Sequence, residues 1–140
     1  MKRLLKVLKP AHAVLHFLEK KPALAWILVG AYMVMIFYFS SLENPLPNFI
    51  PDIPSFVEHM AEYAVFGFLL LAAFRSNEAT KESAWLFAIA AASVYGITDE
   101  IHQLFVQGRV ASIIDWTADT MGASITSIVN LQMKNVERRI

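Results

Sequence analysis

Residues 96–119, with the sequence GITDEIHQLFVQGRVASIIDWTAD, connect two apolar segments and contain an unusual density of polar groups. The apolar segment 84–95 leads into this stretch, and a second apolar segment begins inside it. The candidate functional residues here are Asp99, Glu100, His102, Gln103, Arg109, Asp115 and Asp119. An Asp, Lys or Arg at the centre of a membrane helix costs about 2.5–3.5 kcal/mol on insertion scales, so polar groups at the ends of such segments indicate function.

The composition is typical of an integral membrane protein. Hydrophobic residues make up 56% of the 140 residues and charged residues only 17%, and the mean hydropathy is +0.47. In soluble domains roughly a quarter of the residues are charged. The net charge of zero argues against a nucleic-acid-binding protein. The absence of cysteine excludes disulfides and thiolate metal sites.

The apolar runs predict an all-α fold, namely a four-transmembrane-helix bundle with an N-terminal basic amphipathic helix. The predicted spans, each close to the length that crosses a bilayer, are residues 24–41, 57–74, 83–105 and 113–131. Residues 1–21 place leucines at helical spacing with lysines off that stripe, which predicts a helix at an anionic membrane surface, broken or kinked near Pro10. We therefore divide the chain into a cytoplasmic amphipathic segment, 1–21, and a transmembrane domain, 22–140.

The distribution of charge predicts the orientation in the membrane. With four spans, eleven of the twelve Lys and Arg residues fall on the side that holds both termini, and Arg109 alone falls on the other. The positive-inside rule therefore predicts that both termini are cytoplasmic. Eight of the twelve acidic residues fall on the outer half.

Short patterns predict how the helices begin and pack. The loop 42–56 contains four prolines, and capping-box spacing occurs at Ser55 with Glu58 and at Ser112 with Asp115. Two stripes of small residues predict close helix packing. They consist of Ala84, Ala88, Ala92 and Gly96 in the third span and of Ala118, Gly122 and Thr126 in the fourth.

The order of the spans brings three polar clusters to one membrane depth at the outer leaflet. They come from the start of the second span, the end of the third and the start of the fourth. The candidate catalytic residues are His59, Glu62, Asp99, Glu100, His102 and Asp119. The candidate substrate-binding residues are Tyr63, Gln103, Arg109 and Asp115. Tyr63 and Trp116 also suit aromatic anchors at the membrane interface.

Three kinds of chemistry fit this set of residues. Asp99 and His102, facing His59 and Glu62, would resemble the paired motifs of metal sites in helix bundles, so a divalent metal ion is a candidate cofactor. Alternatively, a histidine or carboxylate acts as a general acid or base while Arg109 holds a phosphate or carboxylate group. In the third interpretation the polar groups are structural, acting as helix caps or as ion-pair partners of Arg109.

Two segments of the chain resemble the VanZ-like family of integral membrane proteins, named for a teicoplanin-resistance protein. The first segment resembles H-x-x-E-Y-x-x-x-G, and the second resembles D-E-x-H-Q-x-F followed by G-R and by D-x-x-x-D-x-x-G. These motifs correspond here to His59, Glu62, Tyr63, Gly67, Asp99, Glu100, His102, Gln103, Phe105, Gly108, Arg109, Asp115, Asp119 and Gly122. The chain departs from the family at Ser55 and Phe56, where Asp or Lys is frequent, and at Gln107, where Pro is frequent.

The resemblance implies a small multi-pass protein of the bacterial cell membrane that affects sensitivity to lipoglycopeptides such as teicoplanin. It does not supply a reaction. The expected partners are membrane lipids and a lipid-linked envelope precursor or a lipoglycopeptide, with a homodimer left open. The alternatives are a non-enzymatic adaptor whose polar cluster is structural and a small cation-coupled transporter.

Overall fold

The computed structural model describes residues 2–43 and 53–137, with side chains described for residues 9–43 and 53–131. Within these ranges the chain is helical and contains no strand, which confirms the all-α class. The five α-helices are α1 (Lys2–Glu19), α2 (Pro22–Ser40), α3 (Ser55–Arg75), α4 (Ala84–Gln103) and α5 (Ile113–Glu137). A single turn of 3₁₀ helix, Lys81–Ser83, precedes α4. The predicted loop 42–56 lies mostly outside the described residues.

Three helical segments are long and apolar enough to cross a membrane, namely Pro22–Ser40, Ser55–Arg75 and Lys81–Gln103. The predicted fourth span corresponds to α5, which forms a helix of 25 residues but is not among these three. Its sequence includes two aspartates and several hydroxyl side chains, which make it less apolar than α2, α3 and α4. The count of four crossings and the cytoplasmic location of the termini therefore stay predictions.

The amphipathic segment forms one helix that continues through Pro10, so the chain is not broken there, and the alternative of a kink stays a prediction. Its apolar stripe is partly buried, because Leu15 and Leu18 are 3% and 4% exposed and belong to the hydrophobic core. This stripe packs α1 against α3 and α2.

Helix α3 lies at the centre of the bundle and packs most extensively against α5. The small residues of both helices permit this contact, since a Cβ on Gly122 would overlap the carbonyl oxygen of Met60 and one on Gly67 would lie 2.6 Å from Ala123 Cα. The predicted stripe of α4 is also confirmed as a packing surface, because Ala84, Ala88, Ala92 and Gly96 are all buried. The polar start of α3 is thereby held directly against α5.

The two predicted capping boxes form different contacts from those expected. Pro54 occupies the N-cap of α3, and the Ser55 hydroxyl donates a hydrogen bond to Asp115 Oδ2 at 3.0 Å. At the start of α5, the amide of Asp115 donates to Ser112 Oγ at 3.3 Å, as a box requires. The amide of Ser112, however, donates to Glu100 Oε2 of α4 at 2.6 Å. Residues predicted to cap their own helices therefore connect α3, α4 and α5.

The opposite end of α3 carries an ion-pair network. Arg75 donates hydrogen bonds to Glu19 Oε2 at 3.2 and 3.3 Å and to Asn130 Oδ1 at 3.3 Å. Lys81 Nζ lies 3.3 Å from Glu19 Oε1. The side chains of Arg75 and Glu19 are only 14% and 9% exposed. This network joins α1, α3 and α5 to the turn that precedes α4.

Candidate functional site

A buried histidine–aspartate pair lies where α3 meets α5. His59 Nδ1 is 2.9 Å from Asp119 Oδ1, and the two residues are 5% and 0% exposed. Since an ionised carboxylate only accepts hydrogen bonds, Nδ1 is the donor. The contact between Gly122 and the backbone at Met60, the residue that follows His59, allows the two helices to approach this closely.

Two further carboxylates surround His59. Glu100 Oε1 lies 3.9 Å from His59 Nδ1, and Asp115 belongs to the same group, because one ligand atom each from His59, Glu100 and Asp115 lies within 4.8 Å of the others. Glu100 and Asp115 are 7% and 8% exposed. We call His59, Glu100, Asp115 and Asp119 the His59 cluster. The cluster is thus a buried group of ionisable side chains from three helices, with Glu100 supplied by α4.

Several buried polar atoms around the cluster have no hydrogen-bond partner among the described residues. They are Glu100 Oε1, Asp119 Oδ2, Tyr63 Oη and Ser40 Oγ. Leaving a buried polar group unpaired costs about 1–3 kcal/mol, and more when the group is charged. The arrangement is therefore costly for an isolated protein, which indicates that the cluster serves more than packing.

A cavity of about 180 Å³ lies beside the cluster, and seven of its eight lining residues have polar side chains. Its lining residues are Phe39, Ser40, Glu58, His59, Glu62, Asp99, Gln103 and Arg109. Gln103 Nε2 donates a hydrogen bond to Asp99 Oδ2 at 3.1 Å. Arg109 is the only basic residue in this lining, and within the described residues its guanidinium forms no ion pair. The predicted pairing of Arg109 with Asp115 or Asp119 is therefore not formed.

A second cavity, of about 220 Å³, lies between α4 and α5 and includes the cluster residue Glu100 in its lining. It is a largely apolar groove lined by Ile97, Glu100, Ile101, Leu104, Ala111, Ser112, Ile113 and Trp116. Glu100 and Ser112, which both line this groove, are hydrogen-bonded to each other, and Glu100 is also a member of the His59 cluster. The cluster thus adjoins both a polar pocket, through His59, and an apolar groove, through Glu100.

Eight of the ten candidate residues meet in the cluster or line the polar pocket. They are His59, Glu62, Asp99, Glu100, Gln103, Arg109, Asp115 and Asp119. The two helix-adjacent carboxylates Asp99 and Glu100 are both buried, with Asp99 directed to the pocket and Glu100 to the cluster. Their catalytic and binding roles stay predictions.

His102 and Tyr63 lie apart from the positions that the sequence suggested. His102 Nε2 is 3.0 Å from Ser41 Oγ, and its ring lies 4.3 Å from that of Phe37, so it contacts the end of α2 rather than His59. Tyr63 is fully buried with its ring edge-on to Phe66, and a residue without exposed surface cannot anchor the protein at the membrane interface.

Trp116, the other predicted anchor, donates its indole N–H to the carbonyl of Ser93 at 3.1 Å and thereby joins α5 to α4. The sequence reasoning did not include Phe39 and Ser40 of α2, which line the pocket, and it assigned Glu58 only to a cap. The one available signal for Ser40 was a hydroxyl at the end of an otherwise apolar span.

Comparison with known proteins gives one positive result. The sequence model of the VanZ/LLP1 family matches residues 23–131, a region that includes α2, α3, α4, most of α5 and every residue of the cluster and the pocket. Neither the curated proteins nor the solved structures gave a match. The matched region is well over half of the chain and coincides with the helices that form the site. The chain therefore belongs to the VanZ/LLP1 family.

Proposed function

We propose that this membrane protein uses the His59 cluster and the adjoining pocket to bind or act on an amphiphilic molecule of the cell envelope. The candidates are a membrane lipid, a lipid-linked envelope precursor and a lipoglycopeptide such as teicoplanin. The observation that carries the proposal is the pocket itself, which is lined both by His59, the hydrogen-bond partner of the buried Asp119, and by Arg109, whose guanidinium forms no ion pair with a described residue.

Arg109 gives the polar pocket one position that suits an anionic group, although three carboxylates, those of Glu58, Glu62 and Asp99, line the same cavity. Arg109 presents a guanidinium without an ion-pair partner among the described residues, and a guanidinium binds phosphate or carboxylate through two parallel hydrogen bonds. Gln103, which lines the same cavity, carries an amide that can donate or accept hydrogen bonds. These groups lie at the ends of membrane-length helices, which is the depth at which lipid headgroups are found.

The groove between α4 and α5 suits the apolar part of the same kind of molecule. Exposed side chains such as Ile101, Leu104 and Ile113 form its walls, and Glu100 connects it to the cluster. A molecule with both a charged and an apolar part therefore finds complementary surfaces in the two cavities that adjoin the cluster. A small polar solute would use only one of them.

His59 is positioned for proton exchange with a bound molecule. Asp119 accepts the hydrogen bond from Nδ1, whereas Nε2 has no hydrogen bond to a described residue. A carboxylate that orients an imidazole in this way leaves the other ring nitrogen available as a base. Glu62 and Asp99 line the same pocket and provide further carboxylates for a second proton transfer.

The proposal is tested in bacteria that depend on this protein for their level of lipoglycopeptide sensitivity. We expect His59→Gln and Arg109→Gln to abolish the effect while the protein still accumulates in the membrane. His102→Gln is the matched histidine variant, and we expect it to retain the effect because its side chain lies outside the pocket. Thermal-shift titration of the purified protein with envelope lipids and teicoplanin then identifies the ligand. Full activity of both His59→Gln and Arg109→Gln would refute the proposal.

A structural role is the second candidate, and one observation favours it. Three hydrogen bonds connect helices within the cluster, from Ser55 to Asp115, from Ser112 to Glu100 and from His59 to Asp119. If the cluster serves only to hold α3, α4 and α5 together in an adaptor protein, the same variants will aggregate in detergent before any loss of function is seen. Size-exclusion chromatography of each variant separates the two candidates.

A further inference from the structure

We propose that His59, Glu100, Asp115 and Asp119 form a binding site for one divalent transition-metal cation such as Zn²⁺. This inference uses the cluster of the proposed function but does not depend on which amphiphile binds, and metal binding can be measured without any amphiphile. It also differs from the metal set suggested by the sequence, because it replaces Glu62, Asp99 and His102 by carboxylates of α4 and α5.

The donor atoms are already close to the spacing that a metal ion needs. One ligand atom each of His59, Glu100 and Asp115 lies within 4.8 Å of the others, and Asp119 Oδ1 is 2.9 Å from the imidazole. Zinc–nitrogen and zinc–oxygen bonds of about 2.0–2.2 Å place tetrahedral ligands about 3.4 Å apart. Small side-chain movements, together with loss of the Nδ1 proton that is donated to Asp119 in the metal-free protein, would therefore bring these groups around one ion.

In two of the carboxylates, one oxygen is held by a hydrogen bond from another residue, as is typical of metal ligands. Ser112 N–H holds Glu100 Oε2, and the Ser55 hydroxyl holds Asp115 Oδ2. In metal sites, such partners orient the ligating groups and their loss weakens metal affinity. Each of these hydrogen bonds joins a serine to a carboxylate of a different helix. Helix capping alone therefore does not explain them, whereas the orientation of metal ligands does.

Unpartnered atoms provide independent support for a ligand. Glu100 Oε1 is fully buried and has no hydrogen-bond partner in the described parts of the chain, although it lies only 3.9 Å from His59 Nδ1. Asp119 Oδ2 is buried and unpartnered as well. Buried carboxylate oxygens are normally paired or coordinate a metal. A cation in the cluster would satisfy Glu100 Oε1 directly.

The charge balance points to a dication. Three carboxylates and one imidazole lie together at 0–8% exposure, and in the described structure none of the three carboxylates forms an ion pair with Lys or Arg. The donor set of one nitrogen with several oxygens suits Zn²⁺ or Mn²⁺, whereas Mg²⁺ and Ca²⁺ prefer oxygen alone. We therefore expect a transition metal rather than an alkaline-earth ion.

The experiment measures zinc binding by the full-length protein purified in detergent and stripped with a chelator. We expect about one Zn²⁺ per chain after equilibrium dialysis, together with a higher melting temperature. We expect Glu100→Gln and Asp115→Asn to weaken zinc affinity at least tenfold. The matched controls are Glu62→Gln and Asp99→Asn, which make the same chemical changes in the pocket wall outside the cluster and should leave zinc affinity unchanged.

A measurement on the unaltered protein protects the test against variants that do not fold. The stripped wild-type protein is titrated with Co²⁺, which gives visible absorption bands of high intensity when it is bound in a tetrahedral site. Failure of the wild type to bind Zn²⁺, Co²⁺ and Mn²⁺, or equal losses in cluster and control variants, would overturn the inference. Metal binding combined with full activity of His59→Gln and Arg109→Gln would instead refute only the proposed function.

Discussion

The two ends of α3 hold charged groups in opposite ways. His59 and Arg75 are sixteen positions apart, which corresponds to about 24 Å along the helix axis. At the Arg75 end, Glu19 contacts both Arg75 and Lys81, and Arg75 also donates to Asn130. At the His59 end, three carboxylates share one imidazole and leave buried oxygens without partners.

The charged groups at the Arg75 end stabilise the fold by pairing with one another, whereas the carboxylates at the His59 end lack such pairing and need a different explanation. Breaking a buried ion pair destabilises a protein because it leaves an uncompensated charge, and the Arg75 network avoids that situation. In the His59 cluster, by contrast, buried carboxylate oxygens have no hydrogen-bond partner among the described residues. The first end therefore acts as a structural clamp between α1, α3 and α5, and the second is the binding site that we propose.

The largest expected effect comes from separating α3 from α5 near the cluster. In Gly122→Leu the new side chain would overlap the carbonyl of Met60 and crowd the amide of Ala64. Because both obstacles are backbone atoms, the helices must move apart, at a cost of about 3 kcal/mol or more. We expect loss of the monodisperse peak in detergent size-exclusion chromatography.

The control for this change is Gly30→Leu, since a Cβ at Gly30 would have no neighbour within 4 Å. Gly30 lies in α2 and is exposed. A normal elution profile for Gly122→Leu would mean that the cluster does not depend on this backbone contact.

An intermediate effect is expected at the clamp. Arg75→Met removes a largely buried guanidinium and leaves the carboxylate of Glu19, which is 9% exposed, with Lys81 and the neighbouring His16 as its remaining partners among the described residues. We expect the free energy of unfolding to fall by about 2–4 kcal/mol, somewhat less than for a fully buried pair. Thermal unfolding in detergent should show the corresponding decrease in melting temperature.

Lys81→Met is the matched change on the exposed side of the same network. Glu19 would keep both hydrogen bonds from Arg75, so the melting temperature should change much less. If the two substitutions lower the melting temperature equally, Arg75 contributes no more to stability than Lys81 does.

Much of the fold follows from local patterns in the sequence. Pro22 starts α2 and the Ser55 region starts α3, as predicted, because proline and turn residues determine where helices begin independently of what packs against them. The convergence of three polar segments also follows from the order of apolar runs. Hydropathy indicated where each run lies, although α5 is less apolar than the other three.

The detailed contacts could not be predicted, because they depend on how each helix is rotated against its neighbours. Asp99 and His102 are three positions apart on α4, yet Asp99 lines the pocket and His102 contacts α2. Capping patterns misled for a related reason, since Ser55 has a carboxylate of another helix within reach. The Glu19–Arg75 pair depends on the docking of α1, which leaves no local signal.

The smallest effect, and the sharpest test of the comparison, comes from one chemical change made at both ends. In chelator-treated protein, Glu100→Gln removes a buried charge, while the amide oxygen still accepts the hydrogen bond from Ser112. Neutralising an uncompensated buried carboxylate is expected to leave the free energy of unfolding unchanged or to raise it by about 1 kcal/mol. Glu19→Gln removes the partner of Arg75 and Lys81 and should lower it.

Melting temperatures of the two variants, measured beside the wild type in the same detergent, decide between these expectations. If Glu100→Gln lowers the melting temperature as much as Glu19→Gln does, the carboxylates of the His59 cluster stabilise the apo protein and the contrast between the ends of α3 fails. If only Glu19→Gln lowers it, the negative charge of Glu100 is not needed for folding. A charge that is buried at a cost and is dispensable for stability then requires a ligand to explain it, and this reasoning applies to an amphiphile in the pocket as well as to a cation in the cluster.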